Sequence, residues 1–312
     1  MEQVLLEIIR IANMFIVRNR KIFFGVSGIL IVLSIAAMSV WGFNLGIDFT
    51  GGSLTEVVYD GARPELSTVK AEIEKENLGG FSIRPTGDSG YVVRSREINE
   101  TEKESLVNSL SLGGASALHV ERFNSIGPVA GNELKNKSFL AIAVVIVAIL
   151  LFIIFAFRKV SEPVASWKYG MATIMALVHD VIVPTGIFIT LGHYFGMEID
   201  LLFVAALLSI VGYSVHDTIV VFDRVRENLM HNKNTRTRED FGETVGRGLV
   251  QTMSRSINTS LTTILVLLSL FIFGGEATRN FSLVLLIGMI TGTYSSIFLA
   301  SPLLVLFAGK NK

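Results

Sequence analysis

The sequence predicts a polytopic α-helical membrane protein: six transmembrane helices, with a polar α+β domain of ferredoxin-like order, βαββαβ, between the first and the second. Three observations predict it. Half of the 312 residues are hydrophobic, mean hydropathy is +0.56 and only 17% are charged, the balance of a chain that lives in lipid. Six stretches reach the ~20 apolar residues that a helix needs to cross a bilayer. One long polar stretch, residues 44–137, interrupts them.

The six spans are 22–43, 138–157, 170–191, 201–222, 256–274 and 281–308. The last is long enough to tilt, or to end at Pro302. The first follows Arg18, Arg20 and Lys21 and is too long for the apolar core of a cleavable signal. It reads as an uncleaved anchor behind a short segment, 1–21. Basic residues set the orientation. Arg10, Arg18, Arg20 and Lys21 precede the first span, and Arg158, Lys159 and Lys168 lie between the second and third. The connection 223–255 runs from Arg224 to Arg255 and is rich in Arg and Lys, and Lys310 and Lys312 end the chain. The opposite side has only Arg279 in its short connections. The positive-inside rule therefore puts both termini in the cytoplasm and carries 44–137 across the membrane.

Within 44–137, Leu54–Tyr59 is the first strand. A helix with Pro64 in its first turn and Leu66, Val69, Ile73 and Leu78 inward stops at Gly79-Gly80. Phe81–Arg84 and Tyr91–Arg94 are two short strands joined by a turn. Thr101 and Glu104 have capping-box spacing and open a second helix. Gly113-Gly114 ends it, and Ala117–Phe123 is the last strand. Beyond the membrane, Asn228–Arg238 reads as a polar loop, with Phe241, Val245 and Leu249 forming an amphipathic approach to the fifth span. His193 and His231 read as loop residues.

The chemistry lies in the few polar residues inside the spans. Asp217 sits in the fourth, where a carboxylate costs about 2.5–3.5 kcal/mol and must be sheltered or exchange a proton. It lies ~8–9 Å from the cytoplasmic boundary. Ala205, Ser209, Gly212 and His216 form a small-to-polar stripe beside it. In the third span, His179 and Asp180 lie near the midplane, ~15 Å from its start. Pro184, four residues on, frees the Asp180 carbonyl of its helical partner. That group is either a water or proton site or a structural polar knot. In the fifth span, Arg255, Asn258 and Thr262 share a face, and Arg255 could reach Asp217 by depth or snorkel to headgroups. Gly288, Gly292 and Ser296 in the sixth read as close helix packing.

The chain holds no cysteine, so no disulfide or thiolate metal site is available. No Ser/His/Asp arrangement, phosphate loop or metal-ligand spacing is present. Neither catalytic residues, a cofactor nor a metal is expected. A formal net charge of zero argues against a nucleic-acid partner.

These residues resemble those of the SecD/SecF family of Sec-translocase accessory subunits, within the resistance-nodulation-division superfamily. The resemblance covers nearly the whole chain. Gly42–Gly52, Ile126–Gly131, His179-Asp180, Val211–Asn228, Ser254–Thr263 and Phe273–Gly275 match in the family's order. It implies a periplasmic location for 44–137 and a bacterial inner membrane, together with a SecD-like partner. It also implies the Sec channel and preproteins as further partners, besides lipid, and the proton-motive force as the energy source. It assigns the family's intramembrane acid to Asp217, its arginine to Arg255 and its His-Asp pair to His179 and Asp180. The signature with Gly46, Asp48, Gly51 and Gly52 suits a hinge or tight turn at the domain base. One departure is His216, where the family usually has Asn; it could titrate near neutral pH or serve as a neutral hydrogen-bonding substitute. Rival readings are a half-transporter for a small molecule or lipid, and a scaffold without transport activity.

Overall fold

The computed structural model describes residues 14–76, 78–158 and 164–308. Of the basic residues used for orientation, Arg10, Lys159, Lys310 and Lys312 lie outside these. The chain divides into two compact units, Leu45–Leu140 and Met1–Asn44 with Ala141–Lys312.

The larger unit is a helix bundle. Its helices are α1 (Arg20–Trp41), then, following the smaller unit's elements in the chain, α5 (Pro128–Ala156, of which the residues up to Leu140 belong to the smaller unit), α6 (Ser166–Phe195), α7 (Leu201–Thr235), α8 (Phe241–Phe273) and α9 (Glu276–Ser295). A π-helical turn, Ser296–Ala300, joins α9 to α10 (Ser301–Ala308), making one continuous span from Thr278 to Ala308. Pro302 lies just after the π turn, and the helix runs past it. Among the described residues, six helices are long and apolar enough to cross a membrane. The inner pair α6 and α7 and the α9–α10 span are the most buried, whereas α1, α5 and α8 show broad apolar surfaces. Small residues bring the helices together. A Cβ on Gly186 would stand 2.3 Å from that of Ser34 on α1, and one on Gly288 would stand 2.1 Å from Ile210 Cδ1 on α7. Such close approach is how helices associate without a hydrophobic driving force.

Two expectations change here. Most of the segment Asn228–Arg238 is helix rather than loop: α7 stays helical to Thr235, capped by Arg236 in the left-handed region, and only the short connection to Phe241, where α8 begins, is a loop. The side chain of Asn232 holds the helical hairpin, donating to Glu239 at 2.6 Å and to Thr244 at 3.1 Å, while Arg247 pairs with Glu239 at 2.8 Å. Polar composition was misread as irregular backbone. His193 and His231 are likewise helical, and His193 stacks on Trp41 with ring centroids 5.0 Å apart.

The smaller unit contains α2 (Ile47–Thr50), β1 (Gly52–Tyr59), α3 (Leu66–Ile73), β2 (Ser82–Thr86), β3 (Gly90–Ser95), α4 (Glu100–Leu110) and β4 (Leu118–Ile126). The strands form one antiparallel sheet in the order β2-β3-β1-β4, so the βαββαβ chain folds as a ferredoxin-like split unit. Val57, Tyr59, Tyr91 and Val93 from the sheet meet Val69, Ile73, Leu106 and Leu110 from the helices in one core. Helix α3 starts after Pro64, with Glu65 at its N-cap, rather than including the proline. The capping box of α4 is Asn99 with Glu102, not Thr101 with Glu104: Glu102 N–H donates to Asn99 Oδ1, and Asn99 N–H to Glu102, both at 2.9 Å. Asparagine two residues upstream is the stronger cap because its short side chain reaches the free N–H groups from extended backbone.

Candidate functional site

Four helices of the bundle bring their polar residues together. On α6, Asp180 is completely buried. Its Oδ1 is 2.9 Å from His179 Nδ1, and its Oδ2 accepts hydrogen bonds from Ser214 on α7 and, at 2.6 Å, from Ser295 on α9. An acid with no access to water is tolerable only when its oxygens are bonded in this way. Gly292 makes the arrangement possible: a Cβ there would stand 3.3 Å from the Ser214 Cβ. His179 is also fully buried, and its Nε2 has no hydrogen-bond partner. With Nδ1–H donating to Asp180, Nε2 is left as a bare acceptor.

Asp217 on α7 is differently placed. It is 9% exposed. Its Oδ1 accepts from Ser256 on α8 at 2.5 Å, and its Oδ2 is buried without a partner. Half of this carboxylate is thus unsatisfied, an expensive state for a charged oxygen away from water. Next to it, Thr218 donates to Ser296 at 3.1 Å. Ser296, the first residue of the π turn, donates to the carbonyls of Gly292 at 2.9 Å and Ser214 at 3.3 Å.

The expected residues separate into two groups. Asp180, His179 and Asp217 lie inside the bundle. Arg255 and His216 are exposed on the outer faces of α8 and α7. Arg255 forms no ion pair with Asp217; the carboxylate bonds to the next residue, Ser256. A 100° step around a helix separates those neighbours. In the smaller unit, Gly46 caps α2 and Asp48 lies in its first turn. Gly51 (φ 73°) and Gly52 (φ 115°) are in the region that favours glycine. A Cβ on Gly51 would come within 2.8 Å of Pro128 Cα, and one on Gly52 within 2.7 Å of the Ser95 carbonyl. These two positions are a tight, packed turn. Ser214, Thr218, Ser256, Ser295 and Ser296 were not read as site residues. Their signal in the sequence is the serine doublet 295–296 in an otherwise apolar span. Among the described residues, no group of three His, Asp or Glu is placed to hold a metal ion.

Known proteins share this plan. Residues 108–310 match the family model described as protein export membrane protein SecD/SecF, C-terminal, and residues 37–62 match the SecD/SecF GG motif. The latter contains the packed glycines Gly51 and Gly52. The protein translocase subunit SecF of Thermobaculum terrenum is 41% identical over 306 residues, covering 95% of this chain and 94% of the relative. That of Anaerolinea thermophila is 36% identical over 294 residues, covering 94% and 93%. The crystal structure of SecDF from Thermus thermophilus, a translocon-associated membrane protein, superposes with a TM-score of 0.79 at 32% identity. It is matched over 95% of this chain, which spans only 38% of the SecDF chain. With family models at both the glycine turn and the polar bundle, and relatives similar from end to end, this multi-pass membrane chain belongs to the SecD/SecF family of protein export membrane proteins.

Proposed function

We propose that this chain is a subunit of a Sec-type protein-export machine and that it couples proton movement at Asp217 to the export of preproteins. The observation that carries the proton reading is the half-satisfied carboxylate: one oxygen of Asp217 is bonded to Ser256 and the other is buried with no partner. A proton removes the charge that burial penalises and turns the unpartnered oxygen from an acceptor into a donor. Gain and loss of that proton therefore change what the helix must bond to. One charge moved across 100 mV is worth about 2.3 kcal/mol, enough to bias a two-state motion. The chain acts as part of a transport machine rather than as an enzyme.

The partner is a SecD-like subunit. Supporting this, α7 exposes Ser209, Gly212 and His216, and neighbouring α8 exposes Arg255, Asn258 and Thr262. Lipid does not solvate such a polar surface, whereas a second helix bundle does. A Cβ on Gly212 would meet nothing within 4 Å, so the stripe has room for another helix. The SecDF chain of Thermus thermophilus, much longer than this one, supports a composite machine. The distribution of Arg and Lys supports an inner-membrane topology with cytoplasmic termini and a periplasmic α+β unit. On this reading the Sec channel and emerging preproteins are further partners, and movement of the α+β unit does the work on them.

The test is Asp217→Asn, coexpressed with the partner and reconstituted in vesicles. Loss of both proton conductance and proton-driven export, with assembly intact, is the expected result. Normal conductance and export would end the proton reading. Export that persists without any dependence on a proton gradient would favour a scaffold.

A further inference from the structure

Four hydroxyls link the surroundings of Asp180 to those of Asp217. On one side, Ser214 and Ser295 both donate to Asp180 Oδ2. On the other, Thr218, adjacent to Asp217 in the chain, donates to Ser296 at 3.1 Å, and Ser296 lies near the Asp217 carboxylate without a hydrogen bond to it. The two halves meet at one atom: the Gly292 carbonyl accepts from Ser295 at 3.0 Å and from Ser296 at 2.9 Å.

The backbone is built for this meeting. Successive residues of an α-helix point about 100° apart, yet adjacent Ser295 and Ser296 share the Gly292 carbonyl while one bonds Asp180 and the other Thr218. The span changes from α to π geometry at Ser296, and the Ser301 hydroxyl bonds the Ser296 carbonyl at 3.1 Å. Such turns insert an extra residue and concentrate at functional sites. Two further atoms mark the cluster as more than packing. Asp217 Oδ2, at one end, and His179 Nε2, behind Asp180 at the other, are both buried without partners.

We propose that Thr218, Ser296, Ser295 and Ser214 form a hydroxyl relay through which the sealed acid Asp180 exchanges its proton with Asp217. This rests on the proposed role of Asp217 in proton uptake and release. Each hydroxyl gives up its own hydrogen as it accepts one, so a proton leaves one carboxyl and arrives at the other with no hydroxyl left charged. Two steps need movement: the Thr218 or Ser296 hydroxyl must turn to Asp217 Oδ2, and the hydrogen of Ser295 or Ser296 must turn from the Gly292 carbonyl toward the neighbouring hydroxyl, or a single water must bridge each gap. The ionisable groups facing Asp180 are His179 on its own helix and, across that ring at 6.0 Å between centroids, Tyr294 on α9. The charged or titratable groups within electrostatic reach of Asp217 are His216 on its own helix and Arg255 on α8, both on exposed faces.

Infrared spectroscopy of the assembled complex in lipid, after transfer to D2O, follows the deuteration of each protonated carboxyl. Bands are assigned by their loss in Asp180→Asn and Asp217→Asn. The expected result for Ser296→Ala is an exchange rate at Asp180 slower by about tenfold or more, with Asp217 unchanged. Ser296→Thr restores the hydroxyl and the rate. A purely structural role predicts the opposite, because loosened packing admits water and speeds both acids. Should Ser296→Ala fail to assemble, Thr218→Val and Ser295→Cys offer the same comparison at nearly constant volume, with the same slowing expected. The relay is overturned if Asp180 exchanges at the parental rate in these variants, or if His179→Gln alone slows it, which would route the proton through the imidazole. It is also overturned if Asp180 shows no protonated band at any pH at which the complex is folded. Failure of the export reading looks different: Asp217→Asn would then conduct and export normally whatever Asp180 does.

Discussion

The helix cap of the α+β unit and the acids of the bundle satisfy their polar groups in opposite ways. In the α+β unit the capping partners are neighbours: Asn99 and Glu102 close the start of α4 three residues apart. In the bundle the partners come from different helices. Asp180 is held by Ser214 and Ser295, 34 and 115 residues away, and Asp217 by Ser256, 39 residues away. Water competes for the exposed groups of that cap, so a lost bond is partly replaced. Inside the bundle nothing replaces it. The difference teaches that bundle bonds should be dear in stability and cap bonds cheap.

The sharpest break of that contrast is Asp180→Ala. It leaves Ser214, Ser295 and His179 facing a void, and an unfolding measurement in lipid or mild detergent should register a loss of about 3–5 kcal/mol. A loss no larger than that of a helix cap would abolish the distinction. Next is Gly51→Ala in the α+β unit, where the cost comes from packing and backbone rather than polarity. The new methyl would press on Pro128 from a residue at φ 73°, and about 1–3 kcal/mol is expected from the same measurement. Gly61→Ala, with open space around it, is the neutral control. Asn99→Ala should cost about 1 kcal/mol, visible as faster amide exchange in the first turn of α4 with the bundle unaffected.

The smallest effect is one of pH. Burial, and then the neighbouring Tyr91, push the Tyr59 phenol up to about 12. It lies in the core of the α+β unit and donates to the Leu110 carbonyl at 2.8 Å. The folded state holds this proton more tightly than the unfolded chain, whose phenol titrates near pH ~10. The stabilisation is therefore complete below about pH 10 and is lost as pH climbs through the folded value. Difference absorbance between the parent and Tyr59→Phe should show one tyrosine ionising late. Ionisation of Tyr59 alongside exposed tyrosines would show that this core admits water.

The sequence carried the membrane helices because hydropathy is a sum over many residues, and it carried Asp180 and Asp217 because an acid in an apolar run stands out. The order of the α+β unit was likewise written in glycine and proline punctuation. What escaped was everything that depends on which side of a helix a residue faces once its neighbours are in place. Arg255 drew attention through its charge, yet Ser256 holds Asp217. Serine is common and small, and only convergence in space separates a ligand such as Ser295 from a spacer. The π turn at Ser296–Ala300 was not legible because hydropathy treats every helical turn alike. The polar run after Asn228 stayed helical because Asn232, Glu239, Thr244 and Arg247 satisfy one another across the hairpin.

The contact between Gly186 and Ser34 bears on how the molecule is made. The N-terminal anchor finds its seat on α6, which is synthesised some 150 residues later. During translation α1 must therefore wait alone in the lipid. Its sequence suits that wait: past Arg20 and Lys21 it has no charged side chain, and much of its surface stays apolar even in the finished protein. Docking is a late event in biogenesis, and a bulky residue at position 186 would leave a fully inserted, correctly oriented, but unfinished protein.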